Sequence, residues 1–141
     1  MQVSSSSTSV TASENTTESN RSGSVTFVQE NSGKQVTLNL TQTKLTVNII
    51  TFKQQGNLLC YDVIATYPLA SDVFIDIEGS HMIDDTGAWY DFTETFKFRK
   101  GDTEYYYYYD QMDLQLAITK IRSISPTKDH VYRYEVKVEP Y

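Results

Sequence analysis

The stretch "DVFIDIEG", Asp72 to Gly79, places Val73, Ile75 and Ile77 on one side of an extended chain and Asp72, Asp76 and Glu78 on the other. The same period of two recurs in Tyr90, Phe92, Phe96 and Phe98, in Leu114, Leu116 and Ile118, and in Tyr132, Tyr134, Val136 and Val138. Turn-forming clusters ("QQGN", "YPLASD", "DDTGA", "RKGD", "SPTKDH") separate several of these runs. No stretch sustains a 3.6-residue apolar period, so helix is at most a turn or two. Short alternating strands with turns between them predict an all-β chain folded as a β-sandwich.

In "LTVNIITF" the alternation slips: Leu45, Val47 and Ile49 give way to Ile50 and Phe52. A β-bulge near Ile49, or a strand that leaves one sheet for the other, explains the slip. Further upstream, Val25 and Phe27 alternate with polar neighbours, as do Val36, Leu38 and Leu40 beyond "ENSGK". The pair reads as a β-hairpin over residues 25–42, with Gly33 at the positive-φ position. Residues 1–24 hold nine Ser and four Thr and no aromatic residue, whereas all eleven tyrosines lie from Tyr61 onward. That beginning reads either as an arm or, through Val3 and Val10, as an exposed edge strand. Residues 43–141 then form the sandwich, either together with the hairpin or beside it.

At 141 residues the chain is long enough for one real core. A net charge of −6 without a basic run excludes a protein that tracks nucleic-acid phosphates. The single cysteine, Cys60, excludes an internal disulfide framework and reads as a small buried residue. There is no membrane-length apolar segment, and a Ser-rich start at Met1 is not a secretory leader. The chain is therefore expected to stay in the cytoplasm where it is made, and a neighbouring subunit is one candidate for holding its polar beginning. The sequons at Asn15, Asn20 and Asn39 carry no weight without export.

Catalytic material is sparse. His81 and His130 lack metal-ligand spacing, and "DDTG" beside His81 is ordinary turn chemistry, although His81, Asp84 and Asp85 together offer donors to a cation. Asp72, Asp76 and Glu78 share a face that reads as solvated rather than as an acid–base pair. No nucleophile elbow, P-loop or zinc-protease motif occurs. The expectation is a chain without enzymatic activity, cofactor or metal.

The stretch "EYYYYYD", Glu104 to Asp110, is the remaining feature. In a strand Tyr105, Tyr107 and Tyr109 face one way and Tyr106 and Tyr108 the other, so whichever row is core, the second is aromatic as well. Tyrosine suits half-wet interface positions, because an apolar ring carries a hydroxyl that finds water or a partner. The outer row reads as strand packing, as a protein contact or as a sugar-stacking platform. Trp89 and Tyr90 extend the same candidate surface.

Residues Val10 to Gln42 add a resemblance. A polar Asn15 to Asn20 segment, then "RSGSVTF" from Arg21, the "ENSGK" turn and "LNLTQ" ending at Gln42 resemble the C-terminal half of a BACON domain, an Ig-like module common in Bacteroidetes and their phages. The segment "FTETFKFRKGDTEYYYYY" is similar to strand–turn–strand patterns of other bacterial and phage Ig-like domains. The first strands of a BACON domain and its Trp-bearing segment have no counterpart here, so carbohydrate binding is not carried to any residue. The resemblance implies an Ig-like sandwich, and together with the missing export signal it leads to the expectation of a structural virion protein of a tailed phage, bound to the major capsid protein, to other virion subunits or to its own copies. A decoration role on the capsid comes first, then a head-fibre or tail-attached role, and then a bacterial surface module that binds glycans.

Overall fold

The computed structural model describes residues 8–56, 60–83, 86–108 and 114–140. Its regular elements are all strands: β1 (Arg21–Val28), β2 (Gln35–Gln42), β3 (Thr46–Gln54), β4 (Cys60–Ala65), β5 (Val73–Met82), β6 (Tyr90–Phe98), β7 (Glu104–Tyr108), β8 (Gln115–Ser125) and β9 (Tyr132–Glu139). The chain is thus all-β, with three sheets ordered β1-β2, β7-β4-β3-β9 and β6-β5-β8. It divides into two compact units, Met1–Leu45 and Thr46–Tyr141.

The N-terminal unit is the predicted hairpin. Strands β1 and β2 pair from Arg21↔Gln42 to Val28↔Gln35, which sets Val25 opposite Leu38 and Phe27 opposite Val36 on one apolar face. Gly33 turns the chain at φ 66°, with its N–H donating to Gln29 C=O at 2.9 Å. Strand β1 begins at Arg21, so it takes in the last four residues of the Ser/Thr-rich segment. Val10 lies outside any strand and is exposed, while Val3 lies outside the described residues. Asn15 ties this unit together. Its buried amide Nδ2 donates to the Ser19, Gln42 and Thr43 carbonyls at 2.9, 3.3 and 3.2 Å, and its Oδ1 accepts from Thr17 N–H and Oγ1–H.

The C-terminal unit holds the core. Ile50, Phe52, Tyr61, Val63, Tyr107 and Tyr134 from the four-stranded sheet join Val73, Ile75, Ile77, Phe96, Phe98, Leu116 and Ile118 from the three-stranded sheet in one buried cluster. Bonds between the two sheets add direction: the Tyr61 hydroxyl accepts from Ile118 N–H at 2.9 Å, and Gln54 Nε2 donates to Leu116 C=O at 2.9 Å. This is a generic sandwich-like arrangement. Its four-stranded sheet is mixed, because β9 runs parallel to β3 from Thr46↔Tyr132 to Lys53↔Glu139.

Several expectations need correction. The register of β3 runs unbroken against β9 from Thr46↔Tyr132 to Lys53↔Glu139 and against β4 from Ile50↔Ala65 to Gln54↔Tyr61, with no bulge near Ile49 and no change of sheet. The inward row is Asn48, Ile50 and Phe52, and a fully buried Asn48 in it is what disguised the phase. Its amide takes Tyr67 N–H at 3.1 Å and gives to Tyr67 C=O at 2.9 Å, which satisfies both ends. The register irregularities lie between β5 and β8 instead, where Arg122 and Thr119 are skipped opposite Ile77 and Gly79. Leu114 and Tyr90 do not join the inward rows: Tyr90 opens β6, Leu114 lies just ahead of β8, and both are exposed.

Candidate functional site

The tyrosine strand β7 is an edge of the four-stranded sheet, and β6 is an edge of the three-stranded one. The turn between them crosses from sheet to sheet through Gly101, at φ 87°. It is bolted down by Gly101 N–H to Leu69 C=O at 2.8 Å, by Lys100 N–H to Asp72 Oδ1 at 2.9 Å and by the Lys97–Asp72 ion pair at 2.5 Å. A groove of about 350 Å³ runs along these two edges, with Glu94, Phe96, Lys97 and Arg99 on one wall and Tyr105 to Tyr108 on the other.

The inner row of β7 is split by depth. Tyr107 is buried, packs edge-on against Phe52 at 6.4 Å and Phe96 at 5.7 Å, and donates its hydroxyl to Glu94 Oε2 at 2.7 Å. Tyr105 meets Phe96 edge-on at 5.3 Å yet remains 48% exposed. A core member and a groove-lining ring therefore come from one row. Tyr109, the third member expected there, lies outside the described residues.

The outer row is Tyr106 and Tyr108, with rings 6.3 Å apart and both about half exposed. They cover Cys60, whose thiol is buried as expected and lies 2.7 Å from the Tyr106 hydroxyl. That hydrogen bond, then partial desolvation and the charges of Cys60, Asp62 and Tyr108, push the Tyr106 phenol above its ordinary value.

The other expected surface residues do not gather into a second site. Trp89 is about half exposed ahead of β6, and Tyr90 packs edge-on against His81 at 6.2 Å. His81 also meets Phe92 at 5.9 Å, so its ring stands among aromatic rings. Asp84 and Asp85 lie outside the described residues, and no cluster of three metal-ligating side chains occurs among the described ones. Asp72, Asp76 and Glu78 are held by cross-strand partners. Asp76 accepts from Thr95 at 2.7 Å and from Ser123, while Glu78 pairs with Arg122 at 3.2 Å and Lys120 at 3.7 Å. The Ser123 and Thr95 hydrogen bonds hold the Asp76 carboxyl below its ordinary value, as Lys100 N–H and Lys97 do for Asp72.

Sequence reasoning missed Tyr67, which stacks on Tyr132 at 5.6 Å and 6°. An isolated tyrosine in the turn-like "YPLASD" segment carries no periodic signal. Comparison of the chain with protein-family models, with curated proteins and with solved structures finds no match.

Proposed function

We propose that this chain is a non-enzymatic binding subunit whose tyrosine-rich β7 edge docks onto other protein subunits, in the setting of a tailed-phage virion and foremost as a decoration protein on the capsid surface. The observation that carries the docking role is the exposure of the Tyr105, Tyr106 and Tyr108 side chains on β7, at one edge of the four-stranded sheet. Such rings contribute large contact area at low entropic cost, and tyrosine is enriched where proteins meet. The virion setting rests on the resemblance of Val10–Gln42 to part of a BACON domain. An Ig-like class is supported by the repeated crossing of the chain between two sheets, and the parallel β3–β9 pair is its main departure.

Mass spectrometry of purified phage particles tests the setting. The expected result is this chain in many copies beside the major capsid protein. A chain absent from particles and found on the bacterial surface overturns it. One observation favours a second reading: the groove sets the half-exposed Tyr105 ring beside the polar groups of Glu94, Lys97 and Arg99, a combination that suits sugar stacking. Calorimetric titration with oligosaccharides separates the two, since saturable heat supports the glycan module and its absence counts against it.

A further inference from the structure

The face of β4 and β7 that points away from the core carries one sign of charge. Tyr61, Val63 and Tyr107 belong to the core. By alternation Cys60, Asp62 and Ile64 on β4, and Glu104, Tyr106 and Tyr108 on β7, face outward. The register sets them in three cross-strand pairs, Ile64↔Glu104, Asp62↔Tyr106 and Cys60↔Tyr108. Two carboxylates therefore flank Tyr106, one across the ladder and one two residues back along its own strand. Neither β4 nor β7 contributes a Lys or an Arg.

The other half of the same sheet mixes its signs. Strand β9 alternates Arg133, Glu135, Lys137 and Glu139 outward, and Arg133 pairs with Glu135 at 3.3 Å. On β3, Lys53 stands opposite both Asp62 and Glu139, yet it forms no ion pair with either. Glu104 is exposed and has no ion-pair partner among the described residues. Gln55 Nε2 donates to Asp62 Oδ2, which orients that carboxylate while Oδ1 remains for another donor.

The rings between these carboxylates suit a cation. Tyr106 and Tyr108 have centroids 6.3 Å apart at 52° and are about half exposed, and the Cys60 thiol, 2.7 Å from the Tyr106 hydroxyl, fixes the first ring in place. A cation over a tyrosine face is attracted by the ring quadrupole. A guanidinium adds to this, because it is planar, stacks on such a ring and still offers N–H groups to a carboxylate at its edge. We infer that this face takes an arginine side chain of a partner protein, stacked on the Tyr106 and Tyr108 rings and paired with Glu104 and Asp62. The net charge of −6 draws a basic partner in from a distance.

The inference rests on the reading of the tyrosine edge as a docking surface and names the chemistry of its partner. Titration of the full chain with the peptide acetyl-Gly-Arg-Gly-Arg-Gly-amide, followed by NMR, tests it. Saturable shifts centred on Asp62, Glu104, Tyr106 and Tyr108 are expected, with weaker binding of the lysine counterpart. Asp62→Asn with Glu104→Gln is expected to weaken binding at least about fivefold. Tyr106→Leu, which keeps an apolar cover over Cys60, should weaken it about threefold. Glu135→Gln with Glu139→Gln makes the same charge change on β9 and should leave binding nearly unaltered. Equal losses in the two double variants, or shifts centred elsewhere, overturn the inference. So does self-association of the chain that Asp62→Asn with Glu104→Gln abolishes, since the occupant is then a second copy. Incorporation into phage particles separates the two readings. Loss on replacing Tyr105, Tyr106 and Tyr108 by Ser, with retention in Asp62→Asn with Glu104→Gln, overturns the arginine partner alone, whereas retention in both overturns the docking edge itself.

Discussion

The hairpin of Met1–Leu45 and the sandwich of Thr46–Tyr141 use the same alternation to opposite ends. In the sandwich, rows such as Val73, Ile75 and Ile77 are buried to 0% exposure because a second sheet covers them. In the hairpin, Phe27, Val36 and Leu38 stand in an equally regular row and remain 37%, 68% and 45% exposed. Alternation selects a strand and a face, but burial needs an opposing layer. Polar groups take over where the layer is missing: Asn15 is the one buried side chain described in the hairpin unit, and it holds four backbone groups together.

The largest expected effect breaks the sandwich and spares the hairpin. Gly79 sits in β5 where a Cβ atom would lie 2.4 Å from Phe92 Cζ and 2.5 Å from Ala117 O. Both the Phe92 ring and the Ala117 carbonyl of β8 would have to shift to admit it. Gly79→Val is expected to cost more than about 4 kcal/mol, by overpacking at a central strand. Chemical denaturation followed by tryptophan and tyrosine fluorescence reads the loss. A near-native midpoint would show that Phe92 swings aside at little cost.

Matched substitutions at the two buried asparagines sharpen the comparison. Asn48→Ala removes a fully buried side chain and leaves the part-buried Tyr67 N–H and C=O without their side-chain partner, at about 1–3 kcal/mol. Asn15→Ala removes comparable bonds from a unit whose neighbouring groups reach water, so the expected loss is about 0.5–1.5 kcal/mol. Hydrogen exchange should report the second only in β1 and β2. Equal losses at both sites would mean that the hairpin is as dry as the sandwich.

These asparagines also mark where the sequence stops being legible. Strands β5, β6 and β9 could be read from their apolar rows, and the hairpin from its turn and Gly33. Asn48 could not, because a polar residue in an inward row mimics a change of phase, and its partner Tyr67 lies in a loop nineteen residues on. The bulges of β8 escaped for a related reason: Thr119 and Arg122 are polar residues in a run that looks regular until its partner strand is known. Parallel pairing of β3 with β9 joins opposite ends of the unit, and periodicity carries no strand direction. In the tyrosine run the two rows were legible, but only the position of β6 separates buried Tyr107 from half-exposed Tyr105.

Acid should act on the sandwich first. Burial alone would raise the Asp129 carboxyl, but hydrogen bonds from the Tyr134 hydroxyl and from Tyr132 and Val131 N–H outweigh it and lower the value. A depressed folded value means that the unfolded chain binds the proton more readily. The stabilisation is therefore complete above the ordinary carboxylate range near about pH 3.9 and is lost as pH falls through that value toward the folded one. Melting temperatures between neutral and acid pH should drop over this window, and less steeply in Asp129→Asn. An unchanged slope in that variant would assign the acid response to other carboxylates.

The smallest effect is the most direct test of the contrast. Phe27 and Phe52 are both strand phenylalanines in alternating rows, but Phe52 is fully buried against Tyr61, Phe96 and Tyr107, whereas Phe27 is flanked by Val36 on an open face. Phe52→Ala is expected to cost about 3–5 kcal/mol, the range for an aromatic removed from a packed core. Phe27→Ala should stay within about 0.5 kcal/mol, as for surface positions without a special role. If Phe27→Ala instead approached the Phe52 value in the isolated chain, the hairpin face would have to be covered in solution. The absence of an opposing layer would then cease to explain why the two units differ.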